Sequence, residues 1–170
     1  MNQIEQFREE KNEFFRRSPH SPLTPAQKQA FEGLNYFEPN PDLDLKVPVE
    51  EFEEKSRIQM QTTTGGVQTY RRFGSFEVEV EGERASLTIY HNENGYFLPF
   101  VDGLAGEETY PAGRYLEPEK LEDGRFHIDL NQAYNPYCAY NEEWSCPITP
   151  PENRIDLPIR AGEKIYKDST

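Results

Sequence analysis

The chain has 170 residues, enough for one domain with its own core, and carries 31 acidic against 18 basic residues for a formal net charge of −13. A field of that sign repels phosphate backbones and anionic membrane surfaces, so nucleic acid and membrane are disfavoured as partners. Hydrophobic residues make up only 35% of the chain, but 10 Tyr, 11 Phe and one Trp supply the buried area that a disordered sequence lacks.

The N-terminal stretch is charged, not apolar, and no apolar run reaches the length of a membrane span, so neither an export signal nor an anchor is expected. The expected compartment is the cytoplasm, where the two cysteines would usually be thiols. Ile4, Phe7, Phe14 and Phe15 then recur at helical spacing, with Asn2 as a cap and Glu5 three residues on. Arg16 and Arg17 complement the C-terminal dipole of this helix, and Ser18-Pro19 ends it. Its aromatic stripe reads as core packing. Thr24, Pro25 and Gln27 open a second, short helix as N-cap, N1 and N3, with Gly33 expected at the C′ position. Residues 1–33 are thus expected to form a helical arm packed on a β domain of residues 34–170, one folding unit with a Pro-rich hinge at 18–25.

From Leu34 the apolar period becomes two. Leu43, Leu45 and Val47 alternate with polar residues, and Gly65-Gly66 joins the runs 57–63 and 67–73 as a hairpin. Phe76, Val78 and Val80 and, past Gly82, Ala85, Leu87 and Ile89 form the most regular hairpin, with one face buried and the other acidic. Asn92 to Gly95 turns into a buried strand ending at Phe100. A further strand is expected near 112–116, closing through Glu122 to Gly124 onto 125–130. Short strands, tight turns and no alternating helices define a mainly β (α+β) chain: an antiparallel β-barrel or sandwich with an N-terminal helical arm.

The densest stretch runs from Asp129 to Asn153. It holds both cysteines, the only tryptophan and a concentration of Asn, Tyr and Pro, the composition of a rigid loop where a site is expected. Cys138 and Cys146 lack the two-residue spacing of zinc knuckles and redox pairs, and His20, His91 and His127 are the only histidines. Buried structural thiols are favoured over a disulfide, a nucleophile or a metal site, whose donors would be Cys138, Cys146 and His127.

The loop 101–110 has two glycines and three acids but neither EF-hand spacing nor a P-loop ending. It is expected to hold Asp102, Glu108 and Tyr110 over the mouth of the barrel. Arg125, His127, Asp129 and Asn131 share one strand face, whose His and Asp serve acid–base chemistry or ligate a metal, or which is simply solvated. Arg114, flanked by aromatics, either neutralises Asp102, Glu108 or Asp129 or receives an anion, and Glu163 is open in the same way.

Three readings follow. The leading one is a small-molecule site with Tyr110, Tyr115, Tyr134 and Tyr140 as walls and Arg114, Asn131, Asn135 and Glu163 as polar contacts. The second is a hydrolase drawing its acid–base or metal-assisted chemistry from Asp102, Glu108, His127 or Asp129. The third is a buried polar network with no ligand. No cofactor is expected, and the chain is expected to be a monomer or a homodimer.

Phe97 to Phe100, Asp102, Glu108-Thr-Tyr110, Gly113-Arg-Tyr115, Asp129-Leu-Asn131, Ala133-Tyr-Asn-Pro136, Cys138-Ala-Tyr140, Cys146-Pro147, Pro151-Glu-Asn153 and Ala161-Gly-Glu163 together resemble one family. It is the uncharacterised bacterial and archaeal family catalogued as domain of unknown function 1684. The resemblance spans most of the chain, including the helical start and Gly33-Leu-Asn-Tyr-Phe37. Leu130 departs from the family's Asp-Phe-Asn and keeps the apolar role. The family brings no established activity, so the resemblance implies relatives and no chemistry.

Overall fold

Apolar–polar alternation builds most of the architecture of residues 3–166, the part that the computed structural model describes. Two helices, α1 (Gln3–Arg17) and α2 (Pro25–Ala30), precede the strands β1 (Asp44–Val47), β2 (Glu50–Glu51), β3 (Arg57–Gln61), β4 (Val67–Val80), β5 (Glu83–Asn92), β6 (Gly95–Phe100), β7 (Arg114–Leu116), β8 (Glu119–Lys120) and β9 (Phe126–Asp129). All ladders between these strands are antiparallel. The larger sheet runs β2-β4-β5-β6-β7, with β3 also on β4, and the smaller runs β1-β9-β8. Among the described residues neither sheet closes into a barrel.

The two faces of the larger sheet have different fates. One presents Phe76, Val78, Leu87, Ile89, Leu98 and Phe100 to Phe126, Ile128 and Leu43 of the smaller sheet and its approach, in the main core. The other presents Tyr70, Tyr90, Phe97 and Tyr115, and the loop carrying Cys138 and Cys146 covers it. A β-bulge lets one strand serve both faces: the β4–β5 register shifts between Arg72 and Gly74. Tyr70 therefore faces the loop while Phe73 enters the main core, although strict alternation would separate Phe73 from Phe76.

The β4–β5 hairpin turns where expected, with Glu81 at φ 54° and Gly82 at φ 83°, a two-residue turn whose positive φ values match the twist of the strands. Thr24 caps α2 through a complete capping box with Gln27. Two expectations change. The run near 112–116 does not close onto 125–130: β7 pairs with β6, and β9 pairs with β1 and β8. Pro118 lies between β7 and β8 and cannot donate to a ladder, which separates the two sheets at that point. Gly33 is not the C′ residue of α2, because Phe31 already leaves the helix in an extended conformation and buries its ring.

The aromatic stripe of α1 also divides. Phe15 joins Leu23, Phe31 and Tyr140 in a satellite core, whereas Phe7 and Phe14 stay exposed. The stretch 18–25 is a tied turn, with the Ser21 hydroxyl donating to Phe15 O (2.7 Å) and accepting from Leu23 N (3.2 Å). The expected cap at Asn2 lies outside the described residues.

Candidate functional site

The aromatic loop is pinned to the larger sheet by backbone pairing at both ends. Tyr115 and Tyr134 exchange two backbone hydrogen bonds (2.8 and 3.0 Å), Thr63 N–H donates to Cys146 O (3.0 Å), and Ile148 N–H to Gln61 O (2.8 Å). Between this loop, the end of β7 and α1 opens a cleft of about 460 Å³. Phe7 comes from α1, Tyr115 from β7, and Tyr134, Tyr137 and Trp144 from the loop; Lys11, Glu117 and Cys146 supply its polar groups. Phe7 and Trp144 are each 38% exposed, large apolar groups left at the surface, one on α1 and one on the loop.

The cleft's electrostatics follow from burial and a few pairs. The Tyr134 hydroxyl donates to Glu117, and burial followed by that carboxylate raises the tyrosine far above its ordinary pKa. Burial likewise raises Tyr115, whose hydroxyl donates to Pro147 O. Lys11 Nζ stands 4.9 Å from the Tyr134 ring centroid and 2.8 Å from Glu163 Oε1, an ion pair without hydrogen-bond alignment. Cys146 is lowered to about 7, first by the Cys138 thiol and then, against burial, by the backbone N–H groups of Cys138 and Tyr137. Cys138 is raised by the same thiol contact and by burial.

Several residues picked out in the sequence lie in the interior instead. Arg114 is 1% exposed and donates to the backbone carbonyls of Ile159 (2.9 Å), Ala161 and Glu163 (3.1 Å), with Asp102 Oδ2 at 3.7 Å. Burial lowers its pKa to about 10, against the opposing pull of Asp102 and Glu163. Asp102 in turn accepts from Thr109 Oγ1 (2.6 Å) and Ile159 N (2.8 Å). Arg114 therefore ties the C-terminal segment to β7, the ion-pair member of the two roles considered for it. Glu163 is also 1% exposed and accepts from Asn135 N and the Tyr140 hydroxyl. Gly162 lets this segment approach so closely: its φ is 79°, and a Cβ there would lie 2.7 Å from Ala133 O.

Tyr140 and Asn135 thus face the protein interior, and neither lines the cleft. Asn131 fastens the segment before β1, accepting from Asn40 N (2.8 Å) and donating to Asn40 O (2.9 Å). The Tyr110 hydroxyl sits 4.0 Å from the Cys138 sulfur, and burial with Cys138 raises its pKa to about 12. Glu108 borders a separate groove with Tyr36 and Lys164. Of the expected walls, Tyr115 and Tyr134 line the cleft.

His127 stands apart on the smaller sheet, its Nε2 2.6 Å from Asp44 Oδ1. Asp44 faces Asp129 across the β1–β9 ladder, and one donor atom of each of the three residues lies within 4.8 Å of the others. One imidazole and two carboxylates suit a divalent cation, but Asp129 also accepts from Asn131 N (3.0 Å) as the cap of the turn that follows. Among the described residues His127 does not converge with Cys138 and Cys146, so that donor set is not assembled.

Phe7, Lys11, Glu117 and Trp144 were not among the expected site residues. The exposed apolar residues of α1 and the loop carried a signal, but only the docking of the helix brings them together.

A family model described as "Protein of unknown function (DUF1684)" matches residues 29–164. The solution NMR structure of an uncharacterized protein from Haloarcula marismortui is 32% identical, with 95% of this chain and 92% of that one covered and a TM-score of 0.70. Comparison with the curated proteins gives no match. The chain belongs to this family of unknown function, and Phe7 and Lys11 come from outside the matched range.

Proposed function

For this member of the DUF1684 family we propose that the cleft between α1, β7 and the aromatic loop binds a small molecule. The observation that carries this reading is the cleft itself: about 460 Å³, walled by five aromatic side chains, with Lys11, Glu117 and Cys146 converging on it. Small-molecule sites have this size and this balance of apolar wall to polar handle. The ligand that fits is a flat, largely apolar body held between rings, with one polar group for Lys11 or Glu117.

In this reading the sheets form an open sandwich, and residues 1–33 are an arm that completes the cleft on a domain of residues 34–170, the two folding as one unit. The protein acts as a cytoplasmic monomer or homodimer, and its charge of −13 turns away nucleic acid and anionic membranes. Among the described residues no helix is long and apolar enough to cross a membrane.

A thermal-shift screen of aromatic and heteroaromatic compounds tests the proposal. At least one compound raises the melting temperature of the wild type, and the rise disappears in the double variant Phe7→Ala, Trp144→Ala. Equal stabilisation of both proteins, or of neither, contradicts it.

The proximity of Asp44, His127 and Asp129 favours a second reading, a hydrolase using a divalent cation there. Zinc or manganese would then stabilise the wild type and leave His127→Ala unchanged. No metal-dependent shift in the wild type ends that reading.

A further inference from the structure

Cys138 and Cys146 are both free and both buried, in one cluster with Tyr70, Tyr115 and Phe97. Their polar surroundings differ. Cys146 lies on the cleft wall, held by Thr63, whose N–H donates to Cys146 O (3.0 Å) and whose Oγ1 accepts from Cys146 N (3.2 Å). The Cys138 N–H donates to the Cys146 sulfur (3.4 Å), so the two cysteines touch despite the seven residues between them. Cys138 lies on the far side, its sulfur facing the Tyr110 hydroxyl.

We propose that Cys146 and Cys138 form a thiol–disulfide exchange pair opening on the cleft, with Cys146 as the attacking thiolate and Cys138 as the resolving thiol. The substrate class is a low-molecular-weight disulfide with an apolar or aromatic body. The proposal uses the cleft as the route in, and depends on the reading above only for that access.

Attack needs a thiolate, and a thiolate persists where hydrogen-bond donors surround the sulfur. The Cys138 thiol and backbone N–H groups supply them to Cys146, whose pKa falls to about 7. In the first step the Cys146 thiolate attacks one sulfur of the disulfide RS–SR. The RS–SR bond breaks, a Cys146–SR bond forms, and RS⁻ leaves. In the second step Cys138 gives up its proton to solvent and attacks the Cys146 sulfur, expelling the second RS⁻. The protein loses two electrons and gains a Cys138–Cys146 disulfide, and the substrate is reduced to two thiols. A thiol reductant reverses the sequence.

The test uses the full chain and an aromatic nitrobenzoate disulfide as probe, read by thiolate absorbance and by intact mass after acid quenching. The wild type is expected to release both aromatic thiolates and to end lighter by two hydrogens, with no adduct. Cys138→Ser should release one thiolate and keep a stable adduct on Cys146. Cys146→Ser should react about tenfold more slowly or worse, because burial disfavours a thiolate on Cys138. Peptide mapping of wild type quenched early keeps the test independent of how the variants fold: the first adduct should be on Cys146.

A first adduct on Cys138, a stable adduct on the wild type, or labelling only after denaturation overturns the proposal. The ligand reading fails separately: if disulfide exchange proceeds while no compound stabilises the protein, the thiol pair stands and small-molecule binding falls.

Discussion

The interior around Arg114 and the cleft beside Trp144 use the same kinds of side chain to opposite ends. At Arg114 a cation, carboxylates, asparagines and a tyrosine are buried, and most of their polar atoms meet backbone groups of this chain. At Trp144 a cation, a carboxylate, a thiol and several rings line a space open to solvent. The comparison teaches that residue type does not mark a site in this fold. What marks it is whether the groups are enclosed by the protein, as at Arg114, or border an open space, as at the cleft. A network of the first kind braces the C-terminal segment, and substituting it should cost stability. Groups of the second kind should cost little stability and change what the protein binds.

Removing Arg114 gives the largest predicted effect. Arg114→Ala leaves Asp102 without its cation and removes the donor from three carbonyls, for a loss of about 3–5 kcal/mol in denaturant unfolding. A loss under about 1 kcal/mol would collapse the distinction drawn here.

Asn153→Ala should come next. Its carboxamide accepts from Thr88 N (2.8 Å) and donates to Thr88 O and Pro99 O (both 2.8 Å). Thr88 and Pro99 fall opposite each other if the β5–β6 register is extended, but Pro99 has no N–H to offer, and the Asn153 side chain completes the ladder there. The expected cost is about 2–3 kcal/mol, measured the same way.

Alkaline titration reads what the two regions share, tyrosines raised by burial. Burial raises the pKa of Tyr115, Tyr134 and Tyr140 and brings Tyr110 to about 12, so in the folded state they resist ionisation. Because the folded values lie above the unfolded one, their contribution to stability is intact below about pH 10 and is lost as the pH rises through the folded values. Melting temperature should be flat up to that pH as far as tyrosine is concerned, and phenolate absorbance should develop together with unfolding. Early phenolate absorbance in the folded protein would contradict the burial argument.

Trp144→Ala should have the smallest effect on folding, about 0.5–1 kcal/mol, because the ring is already 38% exposed. Any ligand-dependent thermal shift should nonetheless be lost.

Where periodicity rules, the sequence was a sufficient guide. The alternation from Phe76 to Ile89 specifies the β4–β5 hairpin, and Thr24 to Gln27 specifies the start of α2. The β7 strand was visible as an apolar run, but its partner was not, because pairing depends on where Pro118 interrupts the chain and on which neighbouring edge is free. The aromatic loop was visible as a site by composition, whereas the split between its engaged and open residues was not. Lys11 and Phe7 illustrate why: a helix pattern shows which residues share a face, and only docking on the loop decides that Phe15 is buried while Phe7 walls a cleft. Arg114 could be narrowed to two roles, and the position of Asp102 selects one.

The central claim is that the open cleft, and not the Arg114 interior, receives a ligand. Trp144 is the only tryptophan, so its indole N–H gives a single side-chain resonance in a two-dimensional proton–nitrogen spectrum. Titrating a pool of aromatic fragments should shift that resonance saturably for at least one fragment and leave the Arg114 guanidinium signals in place. Fragments that move the Arg114 signals and spare Trp144, or a pool that moves neither, would contradict the account.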